Sequence, residues 1–453
     1  MAQKIIAEKT EKYSTANLIN ALTDTLPTDM REGLPRVEDE KSLYEFGKSI
    51  LSAPLSYNRW IYTLLNRIGL TYITNRLYQN PMNMFIKGVL ERGEIVQNIV
   101  FGLQNPHEYS PEFAQLNVDF YEKPEVMVEY FVLNHMKYYK TTTNEREMEL
   151  AFVSFSNFES FLNKQIEQLY TSAYADEFLM MKYLLALDIL SGKMNVEQIT
   201  SDITDQVESI LGASNDLIFM SEENNPGGAP SYSDKSKQWL IINSRYAARM
   251  NVRVNATAFN RDDVQFLGHQ VMIDGFGKLN DARLKQLFTD EKGNVMLGYR
   301  QLTKEEKDAL NNIPAVLVDE DYFQIYYKKI MVKSRENEEG LFTNHWLHKW
   351  TVYATSIYAP RVIFVEGDPQ VVSISITPKN ASASPNQTVQ FTAEVTTKDF
   401  ASKAVTWSSS SDKSPIDNNG LLRIGGGETG PITVTATSVA DSSITDTATI
   451  TIN

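Results

Sequence analysis

A change of composition at Gly367-Asp368-Pro369 limits what this chain can fold into more than any other feature. Residues 370–453 hold only three aromatics, Phe391, Phe400 and Trp407, and are crowded with Ser, Thr, Val and Ile. The runs "ISIT", "VQFTAEV", "AVTWS", "ITVTATS" and "TATITI" alternate with turn clusters at roughly 10–15-residue spacing. Short strands punctuated this regularly fold as a β-sandwich. Residues 370–453 are therefore read as a separate all-β domain, with Trp407 expected to anchor its core. Everything before Gly367 must build its own core.

That larger part has the composition of a globular body. The chain has 453 residues, 42% of them hydrophobic and 22% charged. Aromatics reach 11%, which suits an assembling protein or simply aromatic-rich cores. Net charge is −14, and no run of Lys and Arg forms a phosphate-binding cluster. Tight duplex binding needs such clusters, and an acidic surface repels nucleic acid. Cysteine is absent, which excludes thiol nucleophiles, zinc ribbons and disulfides. Residues 1–30 contain no apolar run suited to a signal peptide, and no stretch has the ~20 apolar residues of a membrane helix.

Along the body, residues 1–60 are mixed and polar, with helical pieces around 14–23 and 38–52, and read as an N-terminal arm packed over something else. Residues 61–76 are apolar enough to be buried. Residues 77–106 and 117–142 carry β-branched and aromatic runs broken by Asn80-Pro81, Gly88, Gly93 and Asn105-Pro106. Extended strands with charged tips suggest a projecting hairpin over 77–145, whose open edges ask for a partner. The alternative is a hairpin packed on its own chain. Tyr78, Met84, Phe85, Arg92, Tyr130 and Tyr138 are the candidate contacts with a neighbouring subunit.

The longest single element is expected over 156–190. Ser156 and Glu159 have capping-box spacing. Phe158, Phe161, Leu162, Ile166, Leu169 and Ala173 recur at helical spacing, and Gly192 closes the helix. Such a rod serves as a spine across a sheet. Residues 195–330 alternate short strands and helices, and Asp274-Gly275 after "VMI" marks a strand passing into a turn.

No catalytic constellation emerges. Gly88 to Gly93 has P-loop spacing, but Glu94 stands where Lys is needed. "GGGETG" at 425–430 lies between two strands with no helix behind it and reads as a turn. His345 and His348 would share a metal only on a helix, and no third ligand sits beside them. "DEDYF" at 319–323 places three carboxylates in a row after a buried strand, and reads as a solvated turn rather than an acid/base pair. No cofactor is expected.

Two resemblances rest on these residues. "ISITP", "VQFTAEV", "VTWSSSS", "IDNNGLL" and "ITVTATS", in that order, resemble the bacterial immunoglobulin-like group 2 module. Asn386 stands where that pattern usually has Gly, and Asn tolerates the turn geometry. "AFVSFSNFESF" at 151–161, "FNRDDVQFLGHQVMIDGF" at 259–276, "AVLVDEDYF" at 315–323 and "VIFVEGD" at 362–368 resemble the major capsid protein of phi-29-like small tailed phages, a family that also carries the group 2 module at its C-terminus.

The resemblance implies an α+β Hong Kong 97-type capsid fold, followed by the immunoglobulin-like sandwich. Residues 1–60 would be the N-terminal arm and 61–368 the capsid core. Within it, 77–145 would be the E-loop, 146–211 and 313–368 the peripheral domain, and 212–312 the axial domain. The implied role is a structural subunit of an icosahedral or prolate phage head. Copies would form pentamers and hexamers, with a scaffolding protein and portal as partners. Double-stranded DNA would be enclosed without sequence-specific binding, and no membrane is involved. Assembly is expected in the bacterial host cytoplasm, with the C-terminal domain on the outer surface of the virion capsid. Two other readings remain. An adhesin or glycan-binding protein would call for an export signal and anchor. An enzyme with an accessory module would call for convergent polar residues in a cleft.

Overall fold

The computed structural model describes residues 15–53, 55–57, 59–61, 63–64, 78–90, 95–104, 106–107, 126–249, 269–290, 292–296 and 298–453. They fall into two compact units. The first takes its described residues from Met1–Ile95, Val132–Phe178 and Ile325–Tyr353, and the second from Val96–Phe131, Leu179–Gln324 and Ala354–Asn453.

In the first unit the N-terminal helices are interior elements. Helix α1 (Thr15–Thr23) and helix α2 (Glu40–Leu51) bury Ile19, Leu22, Leu43, Phe46 and Ile50. Asp39 starts α2 with a capping box, its carboxylate accepting the Ser42 N–H at 2.7 Å while the Ser42 hydroxyl accepts the Asp39 N–H at 2.8 Å. Trp60, Phe152 and Phe158 join Phe46 in one aromatic cluster, with neighbouring centroids 5.5–6.0 Å apart. Through these side chains the described part of 1–60 supplies core to this unit.

A four-stranded sheet completes this unit, in the order β1 (Ile86–Val89), β9 (Phe323–Asn337), β10 (Phe342–Thr355), β4 (His135–Asn144). β1 runs parallel to β9, and β10 antiparallel to β4 with Trp350 opposite Met136. β1 and β4, from the two ends of 77–145, thus belong to a packed sheet. Among the described residues of 77–145, β2 (Ile95–Phe101) and β3 (Val126–Val132) pair as a separate two-stranded ribbon.

Helix α3 (Glu145–Ala151) leads into the expected long helix, which is built in three pieces. Helix α4 (Phe155–Ile166) is followed by a π-helical turn at Glu167–Thr171 and by helix α5 (Ser172–Ser191). Its cap is Ser154 rather than Ser156: the Asn157 N–H donates to the Ser154 hydroxyl at 3.2 Å. Starting there brings Phe155 into the first turn, where it packs on the aromatic cluster. Ser156 and Glu159 are exposed helix residues, and Glu159 accepts from Thr15 instead. Gly192 does end α5, at φ +68. Residues 176–183 of α5 are all buried, so this part of the helix has no solvent face.

The second unit contains a five-stranded sheet in the order β5 (Asn195–Gln198), β11 (Arg361–Val365), β8 (Ala315–Asp319), β6 (Gln238–Asn243), β7 (His269–Ile273). β8 and β11 are buried at every position, as continuous apolar runs require. Helix α6 (Ile203–Asp216) contributes Ile210 to a cluster with Leu240, Leu317 and Phe364. Because β8 and β11 share a sheet with β6 and β7, the boundaries expected at 212 and 313 do not separate sheets.

The sandwich is built from β12 (Gln370–Thr377) paired with β15 (Thr392–Lys398), and a four-stranded sheet in the order β13 (Asn380–Ala383), β19 (Thr445–Ile452), β18 (Ile432–Ser438), β16 (Val405–Ser409). β14 (Thr388–Gln390) pairs with β17 (Leu421–Arg423). Asn386 adopts φ +69, the left-handed turn position where Asn replaces Gly. Trp407 is a correction. It is half-buried on β16 at the sheet edge, and the fully buried Phe391 centres the core.

Candidate functional site

The ribbon of β2 and β3 is the clearest interaction surface. Alternate residues along β2 are exposed, among them Ile95, Ile99 and Phe101. On β3, Val126, Tyr130 and Val132 are exposed, with Tyr130 at 64%. Its opposite side is tied down by Glu129. That carboxylate accepts from Asn98 at 3.0 Å, from the Ser356 hydroxyl at 2.7 Å and from the Ile357 N–H at 2.5 Å. The ribbon therefore has one anchored polar residue and a row of open apolar side chains.

The expected contact residues divide. Tyr78, Met84, Tyr130 and Tyr138 are exposed. Phe85 is 1% exposed and fills its own chain's interior, which removes it as a contact. Arg92 lies outside the described residues, as does most of 61–76 and the part of "FNRDDVQFLGHQVMIDGF" before His269. Tyr138 sits on an outward face shared with Trp346 and Trp350, and Lys140 and Lys329 lie over those two indoles.

The inward face of β10 is polar. Thr343, His345, Lys349 and Thr351 point into the first unit, and only Leu347 among these alternate positions is apolar. His345 bonds Ser334 at 2.8 Å and Thr143 at 3.1 Å, and burial pulls its imidazole down to about 4. His348 instead meets the Tyr138 ring. Three positions along a strand point to opposite faces, so the two histidines share no site. Among the described residues no cluster suits a metal ion.

Deeper in the same unit, Glu177 on α5 is wholly buried. One carboxylate oxygen accepts from Asn80 Nδ2 at 2.9 Å, and the other from Lys349 Nζ at 2.6 Å and the Tyr327 hydroxyl at 2.6 Å. Lys349 Nζ lies 5.2 Å from the ring centroids of both Tyr174 and Tyr327. Burial pushes the Lys349 ammonium below its ordinary value, against the pull of Glu177.

The remaining motifs are structural. Asp319 of "DEDYF" is buried rather than solvated, because it takes the Ser233 hydroxyl at 2.5 Å and the Asp321 N–H at 2.8 Å, and burial raises its carboxyl. Gly275 takes φ +143 at the expected turn after β7. Its neighbour Asp274 receives the buried Lys182 ammonium at 2.7 Å, a role its sequence context did not signal. "GGGETG" spans the connection from β17 to β18. The P-loop spacing ends in residues outside the described set. Thr303 and Glu306 form a further capping box that opens helix α8 (Lys304–Asn311), after helix α7 (Asp281–Leu287). No described helix is long and apolar enough to cross a membrane.

An α+β body whose clearest open feature is an apolar strand surface, followed by an all-β module, has the make-up of a structural subunit that meets other chains. The family described as Phi29-like phage major capsid protein matches residues 19–365, and the bacterial Ig-like domain (group 2) matches residues 370–449. The chain belongs to the Phi29-like phage major capsid protein family and is a shell-forming structural subunit of the virion capsid. It is 28% identical to the major capsid protein of Bacillus phage B103 over 445 residues, covering 94% of this chain and 90% of that one. It is likewise 28% identical to that of Bacillus phage PZA over 439 residues, again covering 94% and 90%. Among solved structures, the capsid of Staphylococcus phage Andhra aligns with a TM-score of 0.49 at 15% identity, over 65% of this chain and 86% of that chain.

Proposed function

We propose that the chain takes the Hong Kong 97-type arrangement and closes the head shell through the β2–β3 ribbon, which acts as the E-loop and lies over a neighbouring copy. The observation that carries this reading is the exposed row of Ile95, Ile99, Phe101, Val126, Tyr130 and Val132 on a sheet of two strands. Two strands alone are marginally stable in water, and their open edges and apolar face are satisfied by a second chain. In this reading α4 and α5 form the spine helix, β9 and β10 belong to the peripheral domain, and the sandwich decorates the outer surface. Pentamers and hexamers repeat the contact, so each one can be modest. A scaffolding protein and the portal join during assembly in the host cytoplasm. The net charge of −14 suits a wall that encloses double-stranded DNA without gripping its sequence.

The double substitution Phe101→Asp, Tyr130→Asp tests the ribbon. Folded subunits with an unchanged melting temperature and no shells by electron microscopy are expected. Normal shells from the folded variant would remove the ribbon's role and leave the family's shell-forming role standing.

A further inference from the structure

Asp399, Phe400 and Lys403 of the immunoglobulin-like module lie against the body of the same chain, all within the second unit. Asp399 and Phe400 take φ +50 and +62, and the Ala401 N–H closes their turn on the Lys398 carbonyl at 3.2 Å. A turn with both central residues left-handed is ordinarily built from Gly, Asn or Asp. Phenylalanine there is strained, and such strain persists only where the surroundings impose it. Here the surroundings are the body and the linker. Asp399 accepts the Asp368 N–H at 3.0 Å, and a Cβ on Gly367 would stand 2.6 Å from Asp399 Cγ. The Gly367 carbonyl in turn accepts from Gln198 of β5 at 2.9 Å. Phe400 lines a cavity with Tyr246, Arg249 and Asn312 of the body.

The second contact falls at the end of α5. The last carbonyls of a helix have no partner within it, and the Lys403 N–H donates to the Gly192 carbonyl at 2.7 Å. A Cβ on Gly192 would stand 2.5 Å from Lys403 Cγ, so the lysine stem lies directly on the glycine backbone. A cation is favoured at that end of a helix. Against burial, which raises it, the Glu306 carboxyl of α8 is held below its ordinary value by Arg300, the Thr303 N–H and the Lys403 ammonium. We propose that the Asp399-Phe400 turn and Lys403 form a latch that seats the module on the ends of α5 and β5, making it a rigid extension of the body. The short linker keeps the module at an effective concentration on the order of millimolar beside its seat, so modest contacts suffice. In a shell, every copy of the module then carries one fixed orientation.

Distance measurement within one chain tests this. The chain has no cysteine, so Glu208→Cys on α6 and Ser442→Cys on the module, both exposed positions, take two spin labels and no others. Labelled chain is diluted into unlabelled chain and read by electron–electron double resonance. One narrow distance is expected. Asp399→Gly keeps the left-handed turn and removes the carboxylate, and Lys403→Glu puts a negative charge at the helix end. Together they should broaden the distance distribution several-fold while the module's own melting transition stays. Asp399→Gly alone repeats the measurement if the pair unfolds the module. A broad distribution in the labelled chain without these two changes overturns the proposal. So does an equally narrow one with them, since other contacts would then hold the module.

Discussion

Phe391 and Trp407 are the two aromatics of the sandwich whose rings meet, and the structure ranks them in the reverse of the order their sizes suggest. The Phe391 ring is fully buried, and its N–H donates to the Gly420 carbonyl at 2.8 Å. Gly420 has φ +79, and a Cβ there would stand 2.5 Å from the Phe391 oxygen and 3.1 Å from the Trp407 ring. Trp407 leans over this point from edge strand β16, its ring centroid 6.5 Å from that of Phe391, with one side open. Phe391→Ala empties an enclosed space that backbone this tight cannot refill, a loss of about 3–5 kcal/mol. Trp407→Ala removes contacts on one side only, about 1–2 kcal/mol. Against a total of roughly 5–10 kcal/mol for a small domain, the first change is severe and the second tolerable. At about 4–8 °C per kcal/mol, Phe391→Ala lowers the module's melting temperature by roughly 12–40 °C. Calorimetry of the full chain reads this, with the module's transition identified by its loss on truncation after Gly367. A Trp407→Ala shift equal to or larger than that of Phe391→Ala would refute the argument and return Trp407 to the centre of the core.

Buried groups in the body set the other expected outcomes. Burial holds the imidazoles of His135 and His345 down to about 3 and about 4. The unfolded chain then binds more protons below pH 6.5, so stability present at neutral pH is lost as pH falls from about 6.5 toward 4, by about 2 kcal/mol per histidine at pH 5. Urea titrations at pH 7 and pH 5 check this, and His345→Gln should flatten the difference by about half. Gly47→Ala in α2 favours the helix by propensity, about 1 kcal/mol. The added Cβ would nevertheless stand 2.4 Å from that of Phe152, so a net loss of about 1–3 kcal/mol is expected in thermal melts. Asp274→Ala leaves the buried Lys182 ammonium on the Lys278 carbonyl, at 2.8 Å, without its carboxylate, and should cost about 1.5–3 kcal/mol, while the double change with Lys182→Met should recover part of it in the same melts.

Local signals were legible wherever one chemical pattern has one structural outcome. The capping glycine Gly192, the turn at Asp274-Gly275 and the Asn386 turn are backbone demands on single residues, and each falls where expected. The cap falls at Ser154 rather than Ser156 because "SFSNFES" places serines two residues apart, and a start at Ser154 packs Phe155 on the aromatic cluster. β10 was harder. In "FTNHWLHKWTVY" its tryptophans face out under lysines while His345, Lys349 and Thr351 face in. Apolar alternation alone predicts the opposite face. His345 and Lys349 can sit inside because Thr143 and Glu177, from distant parts of the chain, and Ser334, from the neighbouring strand β9, bond them.

By itself the sequence determined the class of protein, the break at Gly367-Asp368-Pro369, the all-β character of residues 370–453 and the position of the long helix. All of these depend on contacts between near neighbours in the chain or on order along it. The tertiary structure decided that the described N-terminal helices contribute to a core, that β8 and β11 share a sheet with β6 and β7, and that Phe391 rather than Trp407 is enclosed. It also decided that Asn80, Glu177 and Lys349 meet. Burial and partnership are properties of where remote segments come together, and residue type constrains them only weakly. A lysine reads as solvent-facing until a carboxylate from another element is found beside it.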